Sequence, residues 1–289
     1  MYPDSFDYYR ADSVEEALSL LDDHAASNPT ILSGGHSLVP TMKSGLAAPD
    51  VVVDIGDIDE ISGVEARDDS LLVGACTRYE AVVNDDLIRE QTPLLAEATA
   101  KIGDKQVRSR GTVGGNLAHA DPASDLPAVM LATNARIHVE GPGGTRTIDA
   151  DDFFLGIYAT ALGPDELLTG VEVPHLGEGA STYVKKPSPS SGYAMIGVAA
   201  RVRTKNGTVS EARVAANGAK GYAIRLGRVE DALVGSDPEE VSPAAVGSLA
   251  TDDLDVSELM DDLQASGEYR AQLLESYTER ALQPVLEQL

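Results

Sequence analysis

The chain of 289 residues contains few residues of the types that build disulfides and metal centres. Its one cysteine, Cys76, excludes an internal disulfide and an iron–sulfur cluster held by four thiolates of this chain. The sequence therefore predicts no metal site of its own. The histidines also lack the spacing of a typical metal-binding pair, and they are His24, His36, His119, His138 and His175.

Basic residues and long apolar runs are also scarce. There are 22 lysine and arginine residues against 47 aspartate and glutamate residues, and the net charge is -25. Nucleic acid requires a basic face, so this balance argues against it as a partner. No apolar run approaches the roughly 20 residues of a membrane helix. Residues 1–10 lack the basic start and apolar stretch of a signal peptide. We expect a cytoplasmic protein without a membrane span.

The acidic residues are spread along the whole chain and do not form one tail. An evenly acidic surface keeps a protein soluble at high salt concentration, where charge repulsion is screened. This pattern predicts a halophilic source, and an ordinary acidic protein is the alternative.

Helix caps and short apolar runs alternate through the first part of the chain. The capping box Ser13-Val-Glu-Glu16 predicts a helix that ends near His24. A second box, Thr77-Arg-Tyr-Glu80, predicts a helix that continues through Ile88. Further helices are predicted at 94–101 and from 125 onwards, and strands at 30–32, 51–55, 71–73, 135–139 and 167–173.

A stretch rich in glycine, serine and proline, residues 175–192, predicts a domain boundary. We expect one domain over residues 1–175, in two parts that divide near residue 56, and a second domain over residues 176–289. Strands and helices alternate early and segregate later, so the predicted class is α+β.

The second domain carries a strong hairpin signal at Asn206-Gly207. Strands are predicted on either side of it, at 194–203 and 208–215. A helix is predicted from Tyr269 to the end of the chain, and Pro284 is expected to bend or end it.

Two glycine-rich turns carry the clearest chemical signal. They are Ser33-Gly-Gly-His-Ser37 and Arg110-Gly-Thr-Val-Gly-Gly-Asn116. Glycine allows a ligand to approach the backbone closely, and successive free N–H groups form a concave anion site. Two such turns could bind the two phosphates of a dinucleotide. Neither turn matches the common dinucleotide or P-loop patterns, so two tight structural turns are the alternative.

A longer pattern around these turns resembles the FAD-binding subunits of the xanthine dehydrogenase and carbon monoxide dehydrogenase family. The resemblance is carried by Ser33-Gly-Gly-His-Ser-Leu-Val-Pro40 and by Gln106-Val-Arg-Ser-Arg-Gly-Thr-Val-Gly-Gly-Asn-Leu-Ala-His-Ala-Asp-Pro-Ala-Ser-Asp-Leu-Pro127. It is strong over residues 1–174 and weaker beyond. It implies a two-part FAD-binding domain, similar to p-cresol methylhydroxylase and vanillyl-alcohol oxidase, followed by a small α+β domain.

The resemblance also implies a set of residues that bind flavin adenine dinucleotide (FAD). In the family, the two turns hold the pyrophosphate, and a downstream aspartate, a leucine, a lysine and an aromatic residue complete the site. No catalytic residue is implied, because the cofactor performs the electron chemistry. The matching positions are Ile31, Leu32, Ser33, Gly34, Gly35, His36, Ser37, Leu38, Thr112, Val113, Gly114, Gly115, Asn116, Asp125, Leu168, Lys185 and Tyr193.

The chain departs from the family after Lys185. Pro187-Ser-Pro-Ser-Ser191 stands where family members often have basic residues, so the loop and the flavin environment around Tyr193 are expected to differ. His36 either binds the cofactor or caps its own turn. We interpret His119 as a packed side chain and Cys76 as inert. Tyr158 and Phe153-Phe154 are expected in the core.

In the resembled enzymes, a molybdenum cofactor on a large subunit oxidises the substrate, and a small subunit carries electrons through iron–sulfur clusters to FAD. The flavin passes the electrons to an external acceptor. The resemblance therefore implies an electron-transfer subunit, inactive on substrate alone, with a large molybdopterin subunit and a small iron–sulfur subunit as partners. A free-standing FAD-dependent oxidoreductase of the same fold superfamily and a non-catalytic assembly protein are the alternatives.

Overall fold

The computed structural model describes residues 2–289. The chain begins with a parallel three-stranded sheet in the order β1–β3–β2. The central strand is buried because its first three residues are all valine. The elements of this part are β1 (Asp7–Arg10), α1 (Val14–Asp23), β2 (Pro29–Leu32), α2 (Leu38–Ser44) and β3 (Val51–Asp54).

A five-stranded antiparallel sheet in the order β4–β5–β10–β6–β7 follows, with helices packed beside it. Helix α8 is buried along its whole length. The elements are β4 (Val64–Ala66), β5 (Ser70–Gly74), α3 (Tyr79–Asn84), α4 (Asp86–Gln91), α5 (Pro93–Ala100), α6 (Lys105–Arg108), α7 (Val113–His119), α8 (Asp125–Thr133), β6 (Arg136–Gly141), β7 (Gly144–Asp149), α9 (Ala150–Phe153), β8 (Phe154–Gly156), β9 (Ala159–Thr160) and β10 (Leu167–Pro174).

The last part is a four-stranded antiparallel sheet in the order β11–β12–β13–β14, with helices on one face. Its first strand lies inside the glycine- and serine-rich stretch 175–192. The elements are β11 (Gly179–Pro187), β12 (Ala194–Lys205), β13 (Thr208–Asn217), β14 (Ile224–Arg225), α10 (Gly227–Leu233), α11 (Pro243–Gly247) and α12 (Gly267–Leu286).

Several predictions from local sequence are confirmed. Ser13 caps α1 by accepting a hydrogen bond from the Glu16 N–H. The hairpin between β12 and β13 turns at Asn206 and Gly207, both of which have positive φ, as this hairpin type requires. The predicted C-terminal helix is α12, which contains Pro284 in its last turn and continues to Leu286.

The second predicted capping box is wrong. The Thr77 hydroxyl bonds to both the N–H and the carbonyl of Gly63, so it is not available to cap a helix. The predicted single helix is instead two helices, α3 and α4. They divide at Asp85, whose carboxylate caps α4 by accepting from the Ile88 N–H.

The sheet of the C-terminal domain is buried on both faces. Side chains alternate between the faces of a strand. Ala199 of β12 therefore belongs to the core shared with α8, while Val198 and Ala200 belong to the core beneath α12. Within residues 2–289, no helix is both long and apolar enough to cross a membrane, and no group of three or more His, Cys, Asp or Glu side chains is arranged to hold a metal ion.

Candidate functional site

A cavity of about 830 Å³ opens between the three-stranded sheet, α7 and the start of α8. This volume falls within the range of about 300–1,000 Å³ that is usual for small-molecule and cofactor sites. Its wall includes the first glycine turn on one side and Tyr158 and Tyr193 on another. The cavity therefore joins segments that are widely separated in the sequence.

The first glycine turn presents unpaired backbone donors to this cavity. Strand β2 ends at Leu32, whose carbonyl accepts from the Ile55 N–H at 2.8 Å, and the chain then leaves the sheet. Among residues 2–289, no acceptor bonds to the five consecutive N–H groups of residues 34–38. All five residues line the cavity. Consecutive free N–H groups at the start of a helix attract an anion, so this turn suits a phosphate.

The second glycine turn, Arg110–Asn116, has a different structure from the first. It contains the N-cap and first turn of α7, and Thr112 is the N-cap residue. The N–H groups of residues 113–116 donate, in order, to the Thr77 carbonyl, the Ala75 carbonyl, the Thr112 hydroxyl and the Thr112 carbonyl, at 3.0, 2.8, 3.2 and 3.1 Å. The expectation of free N–H groups is therefore wrong for this turn, because a helix and a neighbouring loop already use them.

The two glycine turns contact each other directly. The Ser33 and Thr112 hydroxyls lie 2.9 Å apart. A Cβ atom on Gly34 would lie 2.3 Å from the Arg110 carbonyl oxygen, and one on Gly114 would lie 2.5 Å from the Ala75 Cβ. Both glycines are therefore required by close packing within the protein.

Side-chain hydrogen bonds fix the cavity wall next to α7. Asn116 Nδ2 donates to the Tyr79 hydroxyl at 2.9 Å, and the Ser124 hydroxyl donates to Asn116 Oδ1 at 2.7 Å. Burial raises the pKa of Tyr79, so its phenol stays protonated. Asn116 is thus held between two neighbours that also line the cavity.

Asp125 is a buried carboxylate at the first position of α8, with one edge on the cavity. Its Oδ2 lies 3.0 Å from Lys185 Nζ, and its Oδ1 accepts from the Tyr183 hydroxyl at 2.5 Å. Burial raises the pKa of Asp125, while Lys185 and Tyr183 act in the opposite direction. The charge on Asp125 therefore depends on these two partners from the C-terminal domain.

Comparison with known proteins places the chain in a family. The model of the FAD-binding domain in molybdopterin dehydrogenase matches residues 4–176, and that of the carbon monoxide dehydrogenase flavoprotein C-terminal domain matches residues 181–285. The chain belongs to the FAD-binding medium subunits of the molybdenum hydroxylases. FAD is the cofactor of this family, and the predicted α+β, two-domain FAD-binding fold is confirmed.

Medium subunits from different enzymes resemble the chain over nearly its full length. The glyceraldehyde dehydrogenase medium chain of Sulfolobus acidocaldarius is 33% identical, with 99% of this chain and 100% of that protein covered. The carbon monoxide dehydrogenase medium chain of Hydrogenophaga pseudoflava is 35% identical, with 98% and 97% covered. A solved structure of the Hydrogenophaga pseudoflava carbon monoxide dehydrogenase superposes with a TM-score of 0.93 at 34% identity, with 99% of each chain covered.

The cavity of this medium subunit fits a flavin dinucleotide. The free N–H groups of residues 34–38 suit the pyrophosphate, and the volume suits a cofactor rather than a single ion. Most of the residues predicted to bind FAD line the cavity. They are Ile31, Ser33, Gly34, Gly35, His36, Ser37, Leu38, Thr112, Gly114, Gly115, Asn116, Asp125, Leu168 and Tyr193.

Three predicted FAD-binding residues do not line the cavity of the medium subunit. Val113 is fully buried in the core. The Leu32 carbonyl accepts a hydrogen bond from the Ile55 N–H at the end of β2. Lys185 lies behind Asp125 with its side chain 8% exposed.

The prediction for one aromatic residue at the open side of the cavity, Tyr158, is wrong. Phe153 and Phe154 are buried, as predicted, but Tyr158 is 57% exposed. Tyr158 lies in the turn between β8 and β9 with φ of 53°, and its ring centroid is 4.9 Å from that of His119. Both rings line the cavity. Tyr158 was expected in the core, but the β8–β9 hairpin directs it outward.

Cys76 lies beneath the first turn, away from solvent. Its thiol donates to the Ile55 carbonyl at 3.2 Å. Burial raises the pKa of Cys76 to about 11, so the reactive thiolate is disfavoured at neutral pH. This agrees with the interpretation of Cys76 as inert.

Proposed function

We propose that the chain is the electron-transfer subunit of a molybdenum-dependent hydroxylase or dehydrogenase. Its FAD receives electrons from iron–sulfur clusters on a partner subunit and passes them to an external acceptor. The observation that carries this proposal is the cavity with consecutive free N–H groups at residues 34–38, in a chain that matches medium subunits from end to end. Cys76 alone cannot ligate a cluster, so the clusters belong to another chain.

Different residues of the cavity have different roles in binding FAD. The N–H groups of residues 34–38 and the N-terminus of α2 stabilise the negative charge of the pyrophosphate. Leu168 is buried beneath the cavity and supplies apolar wall. Tyr158 and Tyr193 limit solvent access from the open side. When bound, FAD accepts and releases the electrons, and the protein supplies binding and electrostatic tuning.

An exposed apolar patch beside the cavity supports docking of the iron–sulfur partner. Leu155, Ile157 and Tyr158 lie in or next to the β8–β9 turn and are 60%, 63% and 57% exposed. Tyr158 also lines the cavity. Clustered exposed apolar side chains mark interaction sites. A partner on this patch brings its electron donor next to the flavin.

A glycine pair tests the flavin site. Gly35 has φ of 76°, a conformation that β-branched residues avoid, so Gly35→Val forces the turn to change and displaces its N–H groups. We expect the Kd for FAD to rise at least about tenfold, which corresponds to about 1.4 kcal/mol. The measurement is a titration of the apoprotein monitored by flavin fluorescence.

Gly207→Val is the matched control. Gly207 also has φ of 76°, meets no atom within 4 Å of an added Cβ, and lies in the β12–β13 hairpin away from the cavity. The Gly207→Val chain should bind FAD with the same Kd as the unmodified chain. A wild-type chain that binds no FAD, or a folded Gly35→Val chain with unchanged affinity, would refute the proposed site.

Reconstitution tests the electron-transfer role. The isolated chain loaded with FAD should bleach with dithionite but not with carbon monoxide, xanthine or an aldehyde. Addition of the molybdopterin and iron–sulfur subunits should allow bleaching by substrate. Turnover of such a substrate by the isolated chain would favour the free-standing flavoenzyme instead.

Charge substitution tests the docking patch. Ile157→Asp should abolish co-purification with the iron–sulfur subunit, because a charge in an apolar interface lacks a partner. Leu263→Asp is the control, since Leu263 is fully exposed and does not line the cavity. Co-purification of the Ile157→Asp chain at the wild-type level would place the interface elsewhere.

A further inference from the structure

A closed polar cluster lies between the cavity and the C-terminal sheet. Its members are Asp125 on α8, Tyr183 and Lys185 on β11, and Asn217 at the end of β13. Tyr183 and Asn217 are completely buried, and Asp125 is 5% exposed. Asp125 alone among them lines the cavity. The other three lie behind this carboxylate and do not line the cavity.

The hydrogen bonds of the cluster have a fixed direction. The Tyr183 oxygen lies 2.5 Å from Asp125 Oδ1 and 3.1 Å from the side-chain oxygen of Asn217. A phenol has one proton, and the nearer oxygen, on the carboxylate that is paired with Lys185 Nζ at 3.0 Å, receives it. In the same arrangement Asn217 Nδ2 has no partner within residues 2–289, although it is buried. A half-turn of the amide removes this conflict, because Nδ2–H then donates to the Tyr183 oxygen.

The resulting series of hydrogen bonds runs from Asn217 through Tyr183 to Asp125. A Cβ atom on Gly197, which lies on the neighbouring strand β12, would be 2.2 Å from the Tyr183 oxygen and 2.4 Å from Asn217 Oδ1. Gly197 therefore provides the space that this pair occupies. The Asp125 carboxylate is held from one side by Tyr183 and from the other by Lys185.

We propose that Tyr183, oriented by Asn217, is a positioning residue that fixes the Asp125 carboxylate at the flavin cavity. Its donated hydrogen bond reduces the negative charge that this carboxylate presents to the cavity. The inference rests on the proposed flavin site. Reduction adds negative charge to a flavin, and a nearby carboxylate opposes it by Coulomb repulsion. The donated hydrogen bond weakens that repulsion, so Tyr183 raises the reduction potential of the bound FAD.

Tyr183→Phe in the full-length, FAD-loaded chain tests the proposal. The change removes the donor but keeps the ring, and Lys185 still holds the carboxylate. We expect the oxidised flavin to be favoured about tenfold over the wild type, which for a two-electron couple is a downward shift of about 30 mV. The visible absorption bands of the flavin should shift as well. Both are measured by spectroelectrochemical titration.

Tyr277→Phe is the matched control, because Tyr277 packs against the core beneath α12 and does not line the cavity. It should leave the potential unchanged. Asn217→Ala is the second variant if Tyr183→Phe does not fold, and it should lower the potential by a smaller amount. An unchanged or raised potential in the folded Tyr183 variant, with FAD bound, overturns the inference and leaves the proposed function intact. A wild-type chain without FAD overturns the proposed function instead.

Discussion

Lys185 forms an ion pair that is almost withdrawn from solvent, since its side chain is 8% exposed and that of Asp125 is 6% exposed. Removal of one partner leaves a buried charge without compensation. We expect Lys185→Met to lower the free energy of unfolding by about 3–5 kcal/mol, measured by urea denaturation.

The control for this prediction is an exposed ion pair. Arg228 and Asp253 lie 2.9 Å apart with both side chains more than half exposed. Arg228→Met should cost much less stability than Lys185→Met, because solvent screens an exposed pair. Equal losses in the two variants would contradict a special role for burial at Lys185.

Glu172 is a buried carboxylate with an unusually stable charge. Burial opposes ionisation, but hydrogen bonds from Ser70, Arg136 and His138 outweigh it and lower the pKa of Glu172 to about 2. The usual value is 4.5. Because the folded pKa is depressed, the stabilisation is complete above pH 4.5 and is lost as the pH falls towards 2.

Glu172→Gln tests this pH dependence. The variant should be less stable than the wild type at neutral pH, and the difference should shrink as the pH falls from about 4.5 to about 2. Other carboxylates titrate in both proteins, so the difference isolates Glu172. A difference in unfolding free energy that stays constant over this range would contradict the prediction.

Helix α8 is the element that connects the cavity to the C-terminal domain. Its N-terminal end carries Asp125, and its last carbonyls receive arginine side chains from the C-terminal sheet. Arg213 Nε donates to the Leu131 carbonyl at 2.8 Å, and the same guanidinium binds both carboxylate oxygens of Asp151. Cations at the C-terminal end of a helix are stabilising.

Arg213→Met should weaken the attachment of α8 to the C-terminal sheet. It removes a charged hydrogen bond to a buried carbonyl, so we expect the free energy of unfolding to fall by about 1.5–3 kcal/mol. Arg203→Met is the control on the neighbouring strand, because the Arg203–Glu211 pair is about 40% exposed and contributes little. A loss at Arg203 as large as that at Arg213 would argue against anchoring of α8.

The whole molecule carries a net charge of -25, and its self-repulsion is long-range. Salt screens this repulsion, since the Debye length falls from about 10 Å at 0.1 M to about 3 Å at 1 M. We expect the Tm to rise as potassium chloride increases over this range. A flat or falling Tm would remove the basis for the predicted halophilic source.

The sequence by itself determined those features whose physical causes lie within a few neighbouring residues. The Ser13 cap needs only a hydroxyl three residues before an N–H group. The hairpin at Asn206-Gly207 needs only two residues that accept positive φ. The first glycine turn likewise presents its N–H groups because the chain leaves the sheet there, and its resemblance to the FAD-binding subunits identified the family.

The tertiary structure alone decided which groups face the cavity. In the second turn, the N–H groups of residues 113 and 114 donate to the carbonyls of Thr77 and Ala75, more than 30 residues earlier in the chain. No local pattern predicts those contacts. Lys185 is separated from the cavity by Asp125, 60 residues away in sequence, whose carboxylate it binds across the two domains. Tyr158 is exposed because a two-residue turn directs it outward. Burial and hydrogen-bond partners depend on contacts between distant segments, and only the folded chain defines them.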